Sequence, residues 1–411
     1  MFQQPQKLKI INDPVFGFIT IPSNFAYEVI KHPYFQRLNR IRQLGLAAFV
    51  YPGAQHTRFL HSIGAMHLMD EALKTLKEKS HTITQEETNS ALAAILLHDV
   101  GHGPFSHALE HSLVENVTHE EISLLLMQQI NRQWNGALQM TIDVFTDKYP
   151  KQFLHQLVSG QLDVDRLDYL RRDSFFTGVV EGNIGSERII KMLEVRNDKL
   201  AVESKGIYSI ENFLMARRLM YWQVYLHKTA LAAEKMMINI LRRAKELTQE
   251  GENLFAVPAL AYFLYHTISL EELKKNEIAL QHFVDIDDND IWSAIKVWAS
   301  HSDRVLSILC NDMINRHLFK IEISPCPLDQ NRIWETTHQF MKEHRISEHE
   351  ASYFISSDVI ATNMYSEVDD SIDILYKDDS LCDISTASDM LNIELLSKKV
   401  EKYYFAYLRK R

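Results

Sequence analysis

Cysteine is scarce in this chain. Only Cys310, Cys326 and Cys382 occur among 411 residues. They are too few and too scattered for a disulfide framework or a thiolate zinc motif, which fits a reducing cytoplasm. Glycine stops at Gly251, so the C-terminal part holds no glycine-rich phosphate loop. The one G-x-G, Gly101 to Gly103, lacks the flanking pattern of a dinucleotide fold. A basic excess is also missing. Against 54 acidic residues stand 44 basic ones, a net charge of −10, which argues against general nucleic-acid or membrane-surface binding yet leaves room for a local basic pocket. Long apolar runs are absent too: Leu254 to Tyr265 is broken by Pro258 and far too short to span a bilayer. The first residues, MFQQPQKLKIIND, have no secretory apolar core. The expectation is a cytoplasmic protein without a membrane partner.

What the chain does have is histidine, concentrated in one place. Nine of the 19 histidines lie between His56 and His119. At the centre is His98-Asp99-Val100-Gly101-His102-Gly103-Pro104-Phe105-Ser106-His107. The apolar run Ala91–Leu97 before it, preceded by Thr88, Asn89 and Ser90, reads as a buried helix delivering His98 and Asp99 at its C-terminal end. Neighbouring helical positions project about 100° apart, so such a doublet can hold two edges of one ion. His102 shares a face with His98 if the helix continues. Gly101, Gly103 and Pro104 bend the backbone and leave these groups at a cleft.

Length and composition suit two or three linked domains. Residues 7–22 alternate loosely around Asn12-Asp13-Pro14 and Gly17, predicting a hairpin. Helical spacing dominates from Asn24 to about Ile240, with Phe35, Leu38, Ile41 and Leu44, then Ile63, Met66 and Met69, as core. A second hairpin is expected over Arg196–Ile207, and a long helix from Ser209 to about Leu247. Further on, Leu318–Ser324, Ser352–Ile360 and Ile372–Tyr376 read as strands and Glu394–Arg409 as a closing helix. The fold class is thus mainly α, with a short N-terminal β-hairpin and a smaller mixed α/β C-terminal region. A boundary near residue 250 divides 1–250 from 251–411.

Three segments supply what the central motif lacks. In His56-Thr57-Arg58-Phe59-Leu60-His61-Ser62, Arg58 and His61 share a helical face. In Thr118-His119-Glu120, His119 can face Glu110 across a short loop. In Leu162-Asp163-Val164-Asp165-Arg166-Leu167-Asp168-Tyr169, followed by Arg172 and Asp173, the residues Asp165, Tyr169 and Asp173 stack at i, i+4, i+8. Alone, that last segment reads as a solvated helix face. Beside a His-Asp doublet it completes a set of two histidines and two aspartates.

The ordered series H-x-R-F-x-H-S, H-D-x-G-H-G-P-F-S-H, T-H-E and D-V-D-x-x-D-Y resembles the HD-domain phosphohydrolases. Within them it is most similar to the dGTPase-like deoxynucleoside triphosphate triphosphohydrolase branch. The likeness covers roughly residues 7–250 and implies an HD-domain helical core. It implies that His61, His98, Asp99 and Asp165 are metal ligands. Such a set suits Fe, Mn, Zn, Ni or Co, with Mg accompanying the nucleotide. It implies that Glu110 and His119 serve the leaving group and that His102 and His107 line the phosphate site. Arg58, Arg166, Arg217 and Lys228 would meet phosphate oxygens. On the expected long helix the last two project within about 20° of each other. Gln43 and Asp173 would hold a sugar 3′-hydroxyl, Tyr225 would crowd a 2′-hydroxyl, and Tyr169 joins the substrate set. A homo-dimer or tetramer is implied, with the C-terminal region for packing and oligomerisation.

The chain also departs from the branch. Lys31, Gln36 and Asn39 replace an acidic guanine reader and basic phosphate contacts, although Lys9 and Asn12 match. That puts guanine-specific activation in doubt. The leading expectation is hydrolysis of dNTPs, dGTP among them, to deoxynucleoside and inorganic triphosphate. Two alternatives stay open: an HD phosphohydrolase acting on a monophosphate, cyclic dinucleotide or alarmone, and a non-enzymatic metal-stabilised nucleic-acid-binding scaffold.

Overall fold

A computed structural model describes residues 9–105, 114, 117–362, 371–390 and 400–409. Among these, the fold is mainly helical with small sheets at its margins. The chain opens with the expected hairpin, β1 (Ile10–Asp13) against β2 (Gly17–Thr20), register Asp13 to Gly17. Then come α1 (Asn24–Lys31), capped by Ser23, and a 3-10 turn, Arg37–Arg40. Two long helices carry the centre: α2 (Arg58–Glu78) and α3 (Gln85–Leu97). Ala91 to Leu97 are wholly buried, as are Phe35, Leu38, Ile41, Ile63, Met66 and Met69. The start of α3 lies earlier than the sequence suggested. Thr84 caps it, accepting from the Glu87 N–H while Glu87 accepts from the Thr84 N–H, so Thr88, Asn89 and Ser90 are already helical.

After the histidine motif come α4 (His119–Gln133) and α5 (Val164–Thr177). The second hairpin lies a few residues before the expected span: β3 (Leu193–Arg196) and β4 (Lys199–Glu203) turn at Asn197 and Asp198, both at positive φ. The long helix expected from Ser209 to Leu247 is two helices, α6 (Ile207–Met220) and α7 (Lys228–Gln249). Between them a π turn, Tyr221–Tyr225, is followed by extended His227, whose ring accepts the Thr229 N–H and restarts the helix. Arg217 and Lys228 therefore do not share a helical face.

Further on lie α8 (Asp288–Trp298) and α9 (Arg304–Ile314). The three C-terminal strands predicted are present as β5 (Lys320–Ser324), β6 (Ile355–Thr362) and β7 (Asp373–Leu375), with β8 (Leu381–Asp383) beyond. The closing helix is not observed. Val400–Tyr407 is a strand, β9, central in a sheet of order β5-β9-β6, and residues 391–399 lie outside the described ones. A run rich in Tyr and Phe between two antiparallel neighbours is stabilised by cross-strand packing, which overrides helical spacing. The other sheet has order β3-β4-β7-β8, with β4 and β7 parallel. Among the described residues no helix is long and apolar enough to cross a membrane.

Candidate metal centre and substrate pocket

Three helices bring the predicted ligands together. His61 sits one turn into α2, His98 caps the end of α3, and Asp165 lies in the first turn of α5. The imidazole Nε2 of His61 is 3.0 Å from Asp165 Oδ1 and 3.7 Å from Asp99 Oδ2. That of His98 is 3.3 Å from Asp99 Oδ1 and 3.5 Å from Asp165 Oδ1. The other nitrogen of each ring is committed: His61 Nδ1 pairs with Asp168 at 2.7 Å and His98 Nδ1 with the Ile95 carbonyl at 2.6 Å. Both Nε2 atoms are buried without a hydrogen-bond partner.

Buried imidazole nitrogens aimed at carboxylates, with the far side of each ring already fixed, are what a divalent ion requires. The electrostatics agree. Burial works against a charged His61, yet Asp165 and Asp168 override it and push the ring up to about 10. Asp165 is held well below the carboxylate range by His61 and His98 in spite of burial. The cage calls for positive charge, which a bound cation could supply in place of protons. The donors fit Fe, Mn, Zn, Ni or Co.

His102 is not on the helix of His98. α3 ends at Leu97, and a turn in which the His102 N–H reaches the Asp99 carbonyl brings it back. Its Nε2 is 3.2 Å from Asp99 Oδ1, and its ring stacks on His119 at 3.8 Å and 16°. Burial and the Arg58 guanidinium hold it well below the ordinary histidine value. His119 opens α4, beside Glu120 at 3.2 Å. Glu110 and His107 lie outside the described residues.

The turn is packed so tightly that only glycine fits at 101. A Cβ there would lie 2.2 Å from the His119 carbonyl and 2.4 Å from the Ser123 nitrogen. Ser123 Oγ accepts the Gly101 N–H and donates to the His98 carbonyl. Buried Arg37 holds the same turn from beneath, donating to the carbonyls of Val100 at 3.0 Å and His102 at 2.8 Å and to those of Phe283, Val284 and Ile286.

The substrate residues divide. Arg58 Nη1 meets Asp99 Oδ2 at 2.5 Å. Arg166 turns back to Asp163 and the Gly160 carbonyl, leaving a buried Nε without a partner. Arg217 donates to Gln161 at 3.0 Å and lies near enough to Tyr169, Arg166 and Asp165 to feel their charge. Tyr169 packs edge-on to Tyr225 at 6.0 Å, and burial pushes its phenol up to about 12. Asp173 accepts from the Tyr225 hydroxyl at 2.8 Å and meets His56 Nε2 at 2.8 Å, while Gln43 Oε1 is buried without a partner. Lys228 opens α7, after the helix break. It lines a cavity of about 1190 Å³ with Trp222, His227, Arg316, Lys320 and Lys402.

Four residues here carry no role in the sequence reading: His56, Asp168, Arg172 and Arg37. Asp168 was signalled, standing one helical turn after Asp165 in the quoted motif. Nothing local marks Arg37.

Residues 58–173 match the HD domain family and residues 184–257 the HD associated region. An uncharacterized protein of Bacillus subtilis is 33% identical over 77% of this chain and 72% of its own. The deoxynucleoside triphosphate triphosphohydrolase SAMHD1 of Homo sapiens is 28% identical over 61% of this chain, and its Dictyostelium discoideum homolog 30% over 60%. This chain spans about half the length of those two, 47% and 51%. The crystal structure of a phosphohydrolase from Bacteroides thetaiotaomicron is 60% identical, covers 98% of this chain and 100% of that one, and superposes with a TM-score of 0.95. The chain belongs to the HD-domain phosphohydrolases.

Proposed function

We propose that the protein is a metal-dependent deoxynucleoside triphosphate triphosphohydrolase, releasing deoxynucleoside and inorganic triphosphate. One observation carries this reading. On α5, Asp165 faces the two imidazoles while Asp173, two turns on, carries the Tyr225 hydroxyl. One helix thus joins the candidate metal centre to a carboxylate–phenol pair that would take a sugar in this reading. The similarity to the SAMHD1 relatives supports it.

In this reading His61, His98, Asp99 and Asp165 hold the ion. When bound, a divalent metal polarises a phosphate oxygen and lowers the pKa of water. Arg58, Arg166 and Arg217 neutralise the polyphosphate, with His102 and His107 beside it. His119, paired with Glu110, protonates the leaving 5′-oxygen. Gln43 and Asp173 take the 3′-hydroxyl, and Tyr225 closes on the 2′ carbon. The division at residue 250, a C-terminal part used for oligomerisation, and a cytoplasmic location are proposed likewise.

A second reading has its own support. Arg58 and Arg166 already hold carboxylates, so less free positive charge faces the centre than a triphosphate calls for. That favours a monophosphate, cyclic dinucleotide or alarmone. Incubation with Mn²⁺ and each dNTP, alone and in pairs, separates the two. Inorganic triphosphate is the expected product; diphosphate, monophosphate or no product from every dNTP overturns the proposal.

A further inference from the structure

His61 stands at one end of a buried line of alternating charge. Its Nδ1 meets Asp168 Oδ2 at 2.7 Å. Arg172 grips both oxygens of Asp168, through Nε and Nη2, each at 2.9 Å. Arg172 Nη1 then donates to Asp13 Oδ2 at 2.7 Å. Asp13 ends β1, and its other oxygen accepts from the N–H groups of Val15 at 2.8 Å and Phe16 at 2.9 Å, shaping the hairpin turn. The side chains of His61, Asp168, Arg172 and Asp13 are each 0% exposed. The helix backbone closes the remaining side. A Cβ on Gly64 would lie 2.0 Å from Asp168 Oδ1 and 2.1 Å from Arg172 Nη2.

We infer that Asp13, far from the ligands in sequence, is a positioning residue of the metal centre: through Arg172 and Asp168 it sets the orientation and electron richness of His61. The inference rests on His61 being a ligand, as proposed above. An outer carboxylate that accepts the far N–H of a ligating histidine fixes the ring and raises its basicity. How much Asp168 gives to His61 depends on how strongly Arg172 draws on it, since in a dry interior the charges polarise one another along the line. Asp13 shares the guanidinium. Without its charge, Arg172 is held by Asp168 alone, Asp168 gives less to His61, and the imidazole binds a cation more weakly. The two oxygens of Asp13 do separate work. One shapes the turn and the other meets Arg172.

That separation makes the test selective. Asp13→Asn keeps an oxygen for the Val15 and Phe16 N–H groups but cannot accept from Arg172. Asp13→Glu keeps a carboxylate for Arg172. Phe16→Leu loosens the hairpin, because its ring packs against Arg172 at 5.7 Å and Arg171 at 4.7 Å, yet leaves the charges in place. Each full-length variant is stripped of metal, melted, and titrated with Co²⁺ against a coloured chelator while the visible cobalt bands are recorded. Asp168→Asn serves as the direct break. The expectation for Asp13→Asn is a Co²⁺ affinity lower by about tenfold, the low end for loss of an outer partner. Its cobalt bands should be displaced in the direction seen for Asp168→Asn, with partial recovery in Asp13→Glu. Phe16→Leu should melt earlier with unchanged affinity and bands. Unchanged affinity and bands in Asp13→Asn while Asp168→Asn loses both would overturn the inference, as would an equal loss of affinity in Phe16→Leu. An unmutated protein that takes up no Co²⁺ would instead overturn the ligand set.

Discussion

The Tyr225 hydroxyl donates to Asp173 Oδ2 at 2.8 Å, while His56 Nε2 meets Oδ1 of the same carboxylate at 2.8 Å. His56 is itself stacked on Phe176 at 4.5 Å and 19°. The tyrosine ring is therefore held at a fixed height in the pocket. In the proposed pose, a 2′-hydroxyl meeting its face would lie without a partner, which costs about 1–3 kcal/mol. The unmutated protein is expected to favour dGTP over GTP by roughly ten- to a hundredfold. Tyr225→Ala should narrow that gap while weakening binding. Values of kcat/KM for both nucleotides on both proteins decide it, and equality on the unmutated protein would reject the sugar gate.

Removing a ligand should remove metal and turnover together. His98→Ala and Asp165→Ala each leave three donors and an unfilled edge, forfeiting both geometry and charge. Elemental analysis of the purified variants checks this. Full metal content in both would show the ligand set to be wrong.

His119 lies outside the four-residue cage, with its ring on His102. His119→Ala is expected to keep the metal and slow turnover by roughly 10²- to 10⁴-fold, the range for a lost proton donor. Turnover equal to that of the unmutated protein would mean that the leaving oxygen takes its proton elsewhere.

Arg37 is a buried cation that donates its hydrogen bonds to backbone carbonyls, and burial pulls its guanidinium down to about 9. Arg37→Met would leave several buried oxygens without donors at about 1–3 kcal/mol each. Urea unfolding should register a loss of at least about 3 kcal/mol. A smaller loss would mean that the turn finds other donors.

Asp288, at the start of α8, accepts the N–H groups of Arg42 at 3.0 Å and Phe105 at 3.1 Å, and burial pushes its carboxyl up to about 6 from 3.8. A folded state with the higher pKa holds the proton more tightly than the unfolded chain. The stability this group contributes is thus greatest below about pH 4 and falls as pH rises towards 6. The shift corresponds to at most about 3 kcal/mol. In urea titrations across that window, the unmutated protein should lose ground relative to Asp288→Asn as pH rises. A constant difference would refute the shift.

Spacing made the His98-Asp99 doublet and the row Asp165, Tyr169, Asp173 legible, while the full ligand set came from the resemblance of the ordered motifs. His61 lies on α2, Asp165 on α5, and His98 and Asp99 directly follow α3, while helical periodicity fixes which side chains of any one helix share a face. Asp165, Tyr169 and Asp173 line up on α5 for the same reason. What eluded the sequence depends on contacts between distant segments. Arg37 reaches carbonyls from Val100 to Ile286, and backbone acceptors leave no trace in residue type. The break before Lys228 turns on one imidazole capping its own chain, which helical spacing cannot register. β9 reads as a helix until two neighbouring strands claim its edges.

The parallel pairing of β4 with β7 ties residues 201–203 to 373–375, across the point where the sequence suggested a division. Three of the carbonyls that hold Arg37 also come from beyond that point. A chain ending near residue 250 would present β4 as a bare edge, a template for strand addition between copies. It would also bury a guanidinium short of acceptors beneath the histidine turn. The half that carries the candidate metal centre is thus finished, in sheet and in core, by residues the ribosome adds more than a hundred positions after Asp165.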